Sequence, residues 1–324
     1  MRTPPDDLPT RAVPDGLRTF GIEPAEWDYL PVGFGDHHWS VRDAGGGGWF
    51  ASVADLQHKP HCGADPRSAL AGLRAAMDTA REVRDAGADF VVAPVRTQRG
   101  ATAVPLGERY ALSVFPDVPG ETGEFGERLT DEDLQRVLKL LARLHTAAPP
   151  DSAPLSALEP DGLDRLTAVL REIGEPWQGG SYSDAAQQLV AEHAAAVGAA
   201  VRELRSRARE LRSGRPAAVV THGEPHRGNL IRTAAGFVLV DWDTVALAPP
   251  ERDLAVVGGD PEVFGTYAAT TGHTPDPGAI ALYRLRWSLT DVVEFVDLFR
   301  APHAATEDTA AALDGLRSTL LDLA

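Results

Sequence analysis

The sequence predicts an α+β protein in which a small antiparallel sheet with one long helix precedes a larger, mainly helical part. Short strand patterns and glycine turns fill the region from residue 27 to 53, and apolar residues recur at helical spacing beyond residue 120. A length of 324 residues fits about two domains. We place their boundary at the proline-rich stretch Phe115–Gly120, which gives domains 1–115 and 116–324.

The N-terminal strands are predicted from their apolar runs and the glycines between them. One strand ends at the Gly33–Gly35 turn, a second lies around Trp39–Arg42, and a third covers Trp49–Val53. The four glycines Gly45–Gly48 form a hairpin turn between the last two strands. Together these segments predict the start of an antiparallel sheet.

One long helix interrupts the sheet. Asp65 is a suitable N-cap, Pro66 suits the first turn, and the helical spacing of apolar residues runs to a stop near Gly87. Two further strands are predicted at Phe90–Val95 and Arg109–Phe115. The sheet domain therefore ends immediately before the proline-rich stretch.

The second half is predicted to be helical around one short β segment. Thr130 and Asp133 resemble a capping box at the start of a helix. A loop at 149–160 and helices at 184–211, 280–299 and near the end of the chain complete the helical part. The β segment consists of strands at Ala217–Val220 and Phe237–Asp241.

Charge and composition restrict the partners. The net charge of -16 argues against nucleic acid and anionic membranes, whose phosphates would be repelled, and it suits a cationic small molecule. The single cysteine, Cys62, permits no internal disulfide. The N-terminus lacks a signal pattern, and no apolar run approaches the roughly 18 residues of a spanning helix. We therefore expect a soluble cytoplasmic protein, and the sequence predicts no oligomeric state.

Polar side chains concentrate where the two strands of the β segment end. The first strand leads to His222, Glu224 and Asn229, and the second leads to Asp241 and Asp243. Carboxylate and amide oxygens are the ligands that Mg²⁺ prefers. A further carboxylate can orient or deprotonate a hydroxyl. The set predicts phosphoryl transfer from a magnesium nucleotide.

The same residues resemble the aminoglycoside phosphotransferase family. The family's loop reads His-Gly-Asp, four residues, then Asn, and its next strand ends in Asp-x-Asp; here His222-Gly-Glu224, Asn229 and Asp241-Trp-Asp243 stand in that order. The stretch Ala248–Leu254 is especially similar to the spectinomycin phosphotransferase branch. The resemblance implies a bilobal, protein-kinase-like fold and an enzyme that uses Mg²⁺ with ATP or GTP.

The resemblance also implies roles for individual residues. Glu224 would be the catalytic base and His222 would brace the loop, whereas Asn229, Asp241 and Asp243 would hold metal. Residues implied to bind the nucleotide lie in the glycine turn, the third strand and the hinge: Gly33, Gly35, Ser52, Lys59, Val114, Phe115 and Asp117. Arg252 and Asp253 would form ion pairs below the site.

Two departures from the family pattern leave alternatives open. Glu224 replaces an aspartate, and its extra methylene moves the carboxylate by about 1 Å. Ser52 stands near the position of the phosphate-binding lysine, and only Lys59 and Lys139 are lysines in this chain. Lys59 reaches the site only if its segment folds over it. A substitute such as His58, weak nucleotide binding or lost activity are the alternatives, and Asp78 or Glu82 is the expected acidic partner.

Three functions are compatible with these features. The first is an O-kinase of a hydroxylated antibiotic, such as an aminocyclitol, an aminoglycoside or a nucleoside, which would confer resistance or self-protection. The second is a pseudokinase that binds nucleotide or ligand without turnover. The third is a kinase of a primary metabolite such as choline, homoserine or a sugar. Candidate acidic contacts for a cationic acceptor are Asp117, Glu121, Glu124, Glu294 and Asp297.

Overall fold

A computed structural model describes residues 1–33, 35–214, 216–259 and 261–324, and it confirms the α+β class. The chain forms two compact units. The first combines Met1–Ser156 with Ala217–Pro275, and the second combines Ala157–Pro216 with Asp276–Ala324. The boundary that we predict at residues 115–116 lies inside the first unit and stays a prediction. Among the described residues, no helix has the length and apolar character needed to cross a bilayer.

A five-stranded antiparallel sheet begins the first unit. Its strands are β1 (Pro24–Leu30), β2 (His37–Asp43), β3 (Gly48–Asp55), β4 (Ala103–Leu106) and β5 (Tyr110–Pro116), in the spatial order β1-β2-β3-β5-β4. One face packs on a short N-terminal helix, α1 (Ala12–Thr19). The three predicted N-terminal strands are therefore confirmed.

The other face of the sheet packs on the long helix α2 (Pro66–Asp85). Asp65 caps this helix by accepting from the backbone N–H groups of Arg67 and Ser68, as the sequence predicts. Leu73 and Met77 bury their side chains in the core beneath the helix. The helix therefore lies behind the strand that carries Ser52.

The prediction of a strand at Phe90–Val95 is wrong. This segment makes only one bridge, between Val91 and Leu239, and the strand that pairs with β5 is instead β4. The backbone N–H of Val92 donates to the Leu239 carbonyl, so the segment lies along a later hairpin. Pro94 has no N–H to donate, which disfavours a place in the sheet.

The rest of the first unit surrounds the β segment. Its elements are β6 (Glu121–Thr122), α3 (Asp131–His145), β7 (Val219–Thr221), β8 (Leu230–Thr233), β9 (Gly236–Leu239), β10 (Ala246–Ala248), α7 (Glu251–Val257) and α8 (Gly265–Thr271). The strands form two small sheets, β6-β8-β9 and β10-β7. The sequence predicts a strand at Phe237–Asp241, and in the structure this strand, β9, ends at Leu239. The sequence does not predict β8.

The second unit is helical. Its helices are α4 (Leu163–Arg171), α5 (Ser183–Glu192), α6 (Ala194–Gly214), α9 (Pro277–Arg300) and α10 (Glu307–Asp322). The single helix predicted at 184–211 is in fact two helices separated at His193, whose ring bonds the Leu189 carbonyl at 2.9 Å and ends α5. Asp297, a candidate acceptor contact, pairs with Arg165 at 2.7 Å.

Candidate active site

The loop that follows β7, residues 222–229, is held from below by a buried carboxylate. Asp253 accepts from the backbone N–H of His222 at 2.8 Å and of Gly223 at 2.7 Å. It also pairs with the ring of His145 at 3.0 Å. Burial works to raise the pKa of Asp253, but the hydrogen bond from His145 and the positive charge of Arg252 together outweigh it and lower this pKa. Asp253 thus fixes the backbone of what we call the His222 loop.

His222 braces this loop from inside. Its Nε2 contacts the Val240 carbonyl at 2.8 Å, and its Nδ1 accepts from the Glu224 N–H at 3.2 Å. A carbonyl only accepts and an N–H only donates, so the ring is the neutral tautomer with the proton on Nε2. Complete burial lowers the pKa of His222, which agrees with a neutral ring. The geometry fits the bracing role and places no proton transfer on His222.

Gly223 is required by both its conformation and its neighbour. Its φ of 101° lies in the left-handed region, and a Cβ there would stand 2.4 Å from the Arg252 guanidinium. Arg252 donates to the hydroxyl of Thr221 at 2.9 Å and to the Thr244 carbonyl at 2.8 Å. The guanidinium therefore ties both ends of the site together directly under the loop.

Glu224 and Asn229 lie together at the open side of the loop. The Glu224 side chain keeps 39% of its surface exposed, so its carboxylate can be reached by a ligand. The Asn229 amide donates from Nδ2 to the Glu224 carbonyl at 3.0 Å. With the NH₂ group used in this way, the amide oxygen is the atom suited to a cation.

Asp241 follows β9 in a strained backbone conformation. Its φ of 64° makes it the one positive-φ residue other than glycine among the described residues. This conformation costs about 1 kcal/mol or more, and such strain concentrates at functional sites. Loss of hydration raises the pKa of Asp241 well above its usual range, and the nearby Asp243 carboxylate raises it further, although the side chain stays open to solvent on one side. The surroundings of Asp241 therefore disfavour a second negative charge beside Asp243, and a nearby cation would favour it.

Lys59 is brought to this site by the segment 56–62, which we call the Lys59 segment. Its Nζ pairs with Asp243 Oδ2, and it lies 2.9 Å from Asp36 Oδ1. Burial works to lower the pKa of Lys59, but the carboxylates of Asp243 and Asp36 outweigh it and hold the pKa well above its usual value. A buried, fully charged lysine thus lies beside the two aspartates.

Ser52 lies beside this lysine but contributes a hydroxyl and no charge. Its Oγ donates to Asp36 Oδ2 at 3.2 Å, so Asp36 contacts both Ser52 and Lys59. His58 is engaged elsewhere, with Asp55 at 2.8 Å. The helix residue Asp78 accepts from Arg96 and Thr102. The carboxylate partners of Lys59 therefore come from the glycine turn and from the segment after β9.

The glycine turn and the hinge are placed less directly. Gly33 and Gly35 both have positive φ, 70° and 98°, which suits a tight turn, whereas Phe34 lies outside the described residues. At the hinge, the Val114 carbonyl accepts from Val95 at 2.7 Å. The Asp117 N–H donates to Gly48 at 3.1 Å.

These hinge bonds limit what a nucleotide base can reach. Phe115 continues the pairing of β5 with β3 opposite Phe50. The base contacts predicted for Val114, Phe115 and Asp117 stay a prediction, and two of their backbone groups already have partners within the protein.

A divalent cation fits the donor set. Among the described residues no three His, Cys, Asp or Glu side chains are arranged as a metal site, so the protein offers few donors. Mg²⁺ is commonly bound by one or two carboxylates together with phosphate oxygens and water. The Asp241 carboxyl group, which is exposed, and the Asn229 amide oxygen match that pattern. Asp243, by contrast, has its carboxylate engaged by Lys59 and by His61 at 3.4 Å.

Sequence reasoning missed three residues that the structure places in or under the site. Asp36 and His61 contact Lys59 or its partner, and His145 supports Asp253. Asp36 carries a weak signal, because it directly follows the glycine turn. His145 ends the apolar stripe of α3, where a histidine ordinarily signifies packing. None of the three has a spacing that indicates its partner.

Known proteins resemble this chain in sequence and in fold. A family model described as the phosphotransferase enzyme family matches residues 31–285. Protein StrN of Streptomyces griseus is 28% identical over 242 residues, which are 70% of each chain. The fold is similar to that of spectinomycin phosphotransferase APH(9)-Ia, solved with ADP and spectinomycin, with a TM-score of 0.71 at 15% identity over 98% of this chain and 99% of that one.

A second solved structure, a microcompartment-associated aminopropanol kinase, has a TM-score of 0.62 at 18% identity and covers 96% of this chain and 95% of its own. Identities this low support the fold alone. The family match, in contrast, spans most of the sequence, including the His222 loop and the Lys59 segment. The chain belongs to the phosphotransferase enzyme family.

Proposed function

We propose that this protein is a cytoplasmic, magnesium-dependent O-kinase. It would transfer the γ-phosphoryl group of ATP or GTP to a hydroxyl of an antibiotic of the aminocyclitol, aminoglycoside or nucleoside type, and so confer resistance or self-protection. Family membership supports a phosphotransferase, and the donor, the metal and the acceptor are the proposal's own additions.

The observation that carries the proposal is the position of Lys59. It is 8% exposed, and its ammonium group lies between Asp36 and Asp243. A buried lysine costs desolvation unless it is paired, and it offers three donors for anionic oxygens. Its placement beside Asp241 favours a site that binds the phosphates of a nucleotide, and it counts against the pseudokinase reading of Ser52.

The described residues divide the chemistry between them. Glu224 would accept the hydroxyl proton as the acceptor oxygen forms its bond to the γ-phosphorus and the bond from that phosphorus to the bridging oxygen breaks. Lys59 would donate to the phosphate oxygens, and Asn229 and Asp241 would hold Mg²⁺. The metal, when bound, neutralises charge on the phosphates. His222, Asp253 and Arg252 hold the loop so that Glu224 needs no rearrangement.

A kinase of a small amino alcohol or other primary metabolite is the second candidate. The fold similarity to an aminopropanol kinase favours it. Its chemistry at Glu224, Asn229 and Asp241 would be the same, so only the acceptor distinguishes the two. The acceptor panel must therefore contain both classes of compound.

The test is a mass-spectrometric assay of acceptor phosphorylation. Purified protein is incubated with Mg-ATP or Mg-GTP and spectinomycin, streptomycin, a nucleoside antibiotic, aminopropanol, choline or homoserine. We expect an antibiotic product heavier by one phosphoryl group, and loss of that product in Asp241→Asn. Lys139→Met, at the exposed lysine of α3, should retain it.

The pattern of products decides among the functions. Turnover of aminopropanol, choline or homoserine alone would move the protein to primary metabolism. Nucleotide binding by calorimetry with no product from any acceptor would favour the pseudokinase. Absence of both binding and turnover would end the proposal.

A further inference from the structure

Phe125 is an exposed aromatic residue at the edge of the candidate active site. Its side chain is 71% exposed, and its ring lies 5.0 Å from the His226 ring at an angle of 86°. Single exposed apolar residues are ordinary and need no function. Phe125 differs because its neighbour belongs to the His222 loop, which also carries Glu224.

We propose that Phe125 is a specificity-determining residue: its ring binds the apolar face of a saturated acceptor ring that carries an amino group. The inference rests on the proposed function, and it adds a residue that would favour acceptors with an aminocyclitol or amino sugar ring over the other acceptors considered there. Phe125 touches no reacting atom in this scheme, and its contribution is to acceptor binding.

The backbone that carries Phe125 is held in place by several contacts. β6 precedes it and pairs with β8. The Glu124 N–H donates to Glu127 Oε2 at 3.0 Å, and the Glu127 N–H donates to the Glu124 carbonyl at 3.2 Å. A Cβ at Gly123 would stand 2.3 Å from Arg227 Cγ, so the turn lies directly against the His222 loop. An ordered aromatic ring loses little entropy when a ligand covers it.

A short path connects the ring to the proposed base. Phe125 contacts His226, and His226 Nε2 lies 4.0 Å from Glu224 Oε2. Phe125 and Glu224 are thus linked through His226, so a ring-shaped acceptor with one face on Phe125 would lie on the part of the loop that carries Glu224. A long flexible acceptor would have no need of this surface.

Charge selects an amine among ring-shaped acceptors. Glu124 directly precedes Phe125 in the chain, and Glu224 approaches His226, which Phe125 contacts, while Glu127 lies 3.8 Å from Arg227. An ammonium group is attracted both to carboxylates and to the face of an aromatic ring. An acceptor with a carboxylate or a phosphate would be repelled. A neutral ring would retain only the apolar contact.

Calorimetry with defined probes tests the inference. The wild-type protein, Phe125→Ala, Phe125→Tyr and Trp27→Ala are each titrated with spectinomycin, with streptomycin and with the neutral cyclitol myo-inositol. Trp27 is a matched control, since it is an exposed aromatic residue, at 39%, on the outermost strand of the five-stranded sheet. We expect Phe125→Ala to weaken binding of the amino compounds by about tenfold.

Two further outcomes are expected of the same series. Phe125→Tyr, which keeps an aromatic face, should stay within about threefold of wild type, and so should Trp27→Ala. Affinity for Mg-ATP should be equal in all four proteins. In turnover, Phe125→Ala should raise the acceptor KM and leave kcat within about threefold, because the contact acts equally before and during the reaction.

Three results would overturn the inference: equal binding of the amino compounds by Phe125→Ala and wild type, tighter or equal binding of myo-inositol, or no binding of either amino compound. The proposed function fails by a different result. If the amino compounds bind, and if their binding depends on Phe125, but they are not phosphorylated, the role of Phe125 in ligand binding stands and the kinase assignment is wrong.

Discussion

The His222 loop and the Lys59 segment supply charged groups to the same site, but they are built in opposite ways. In the loop, Glu224 and Asn229 are five residues apart, and a backbone-fixing carboxylate holds them from below. In the segment, Lys59 reaches Asp243, which is 184 positions away along the chain. One arrangement is local, and the other exists only in the folded protein.

Because the two regions are built differently, substitutions in them should have different effects on stability and on ligand binding. Asp253 and His222 accept from backbone N–H groups of the loop, and Arg252 donates to the Thr221 hydroxyl at its start, so the loop geometry is independent of any single exposed side chain. The Lys59 segment is held at the site by the ion pairs of the very group that would serve the ligand. Loop substitutions should therefore separate chemistry from stability, whereas segment substitutions should affect binding.

The largest effect is expected at Glu224. Glu224→Gln removes the proton acceptor while keeping the shape, so kcat should fall by about 10²- to 10⁴-fold with donor affinity unchanged. Glu224→Asp, which restores the residue of the family pattern, should keep part of the activity, because the carboxylate moves by about 1 Å.

Steady-state kinetics of both Glu224 variants check this prediction, with Glu203→Gln as a control at an exposed glutamate of α6. Unchanged kcat in Glu224→Gln would remove the loop carboxylate from the chemistry. Of the two regions, only the Lys59 segment would then supply a charged group to the reaction.

The next effect is on stability, at Asp253. Asp253→Asn puts an NH₂ group against one of two backbone N–H donors and removes the charge beside His145, so we expect a loss of about 3 kcal/mol in the free energy of unfolding. Urea denaturation measures it, with Asp15→Asn as the exposed control. A loss below about 0.5 kcal/mol would mean that the loop is not held from below.

Lys59 comes third. Lys59→Met should lower kcat/KM for the nucleotide by about 100-fold and weaken nucleotide binding by calorimetry, because the remaining carboxylates repel phosphate. Lys139→Met, at the chain's other lysine, should change neither.

A second substitution tests whether a lysine on β3 can replace Lys59 in nucleotide binding. Ser52 lies beside Asp36, so Ser52→Lys combined with Lys59→Met should regain part of the nucleotide affinity from the strand. Full affinity in Lys59→Met alone would show that the phosphates bind elsewhere.

The sequence predicted the local part of this site and could not predict the distant part. Fixed spacings place Glu224, Asn229 and Asp241 next to strand ends, and strand geometry carries them to one place. Lys59 has no such register: its partner depends on the path of an irregular segment, and Asp36 follows a glycine turn without regular secondary structure.

The same reasoning accounts for the misplaced strand. Phe90–Val95 has the right residue types for a strand, but Phe90 and Val92 bond the Leu239 backbone, far along the chain, whereas Val95 donates to Val114. The β propensity of its residues correctly indicates an extended backbone, but tertiary contacts with β9 determine where the segment lies.

Asp36 should give a smaller change than Lys59. Asp36→Asn removes one of the two carboxylates at Lys59, so the ammonium group is better able to donate to phosphate and repulsion of the nucleotide falls. We expect a three- to tenfold gain in nucleotide affinity, or about 0.7–1.4 kcal/mol. Calorimetry with Mg-ADP measures it, and Asp43→Asn, at the hairpin turn between β2 and β3, is the control. Weaker binding would mean that Asp36 positions Lys59 more than it competes for it.

The smallest effect concerns pH and the histidine beside the glycine turn. Burial lowers the pKa of His38 to about 4, against an ordinary value of about 6.5 in the unfolded chain. As the pH falls, the unfolded state therefore takes up a proton at His38 before the folded state does. The contribution of His38 to the free energy of unfolding is complete above pH 6.5 and is lost progressively towards pH 4.

For His38 alone this linkage amounts to about 1 kcal/mol between pH 7 and pH 5.5, and His38→Gln, which does not titrate, should flatten the profile by that amount. Urea denaturation at a series of pH values measures the slopes. Equal slopes in the two proteins would mean that folding leaves the pKa of His38 unchanged, so that the folded protein also takes up a proton there below pH 6.5. Because His38 interacts electrostatically with both Asp36 and Lys59, a His38 that is charged at pH 5.5 would add a second cation beside Asp36, and the gain in nucleotide affinity expected of Asp36→Asn would then depend on pH.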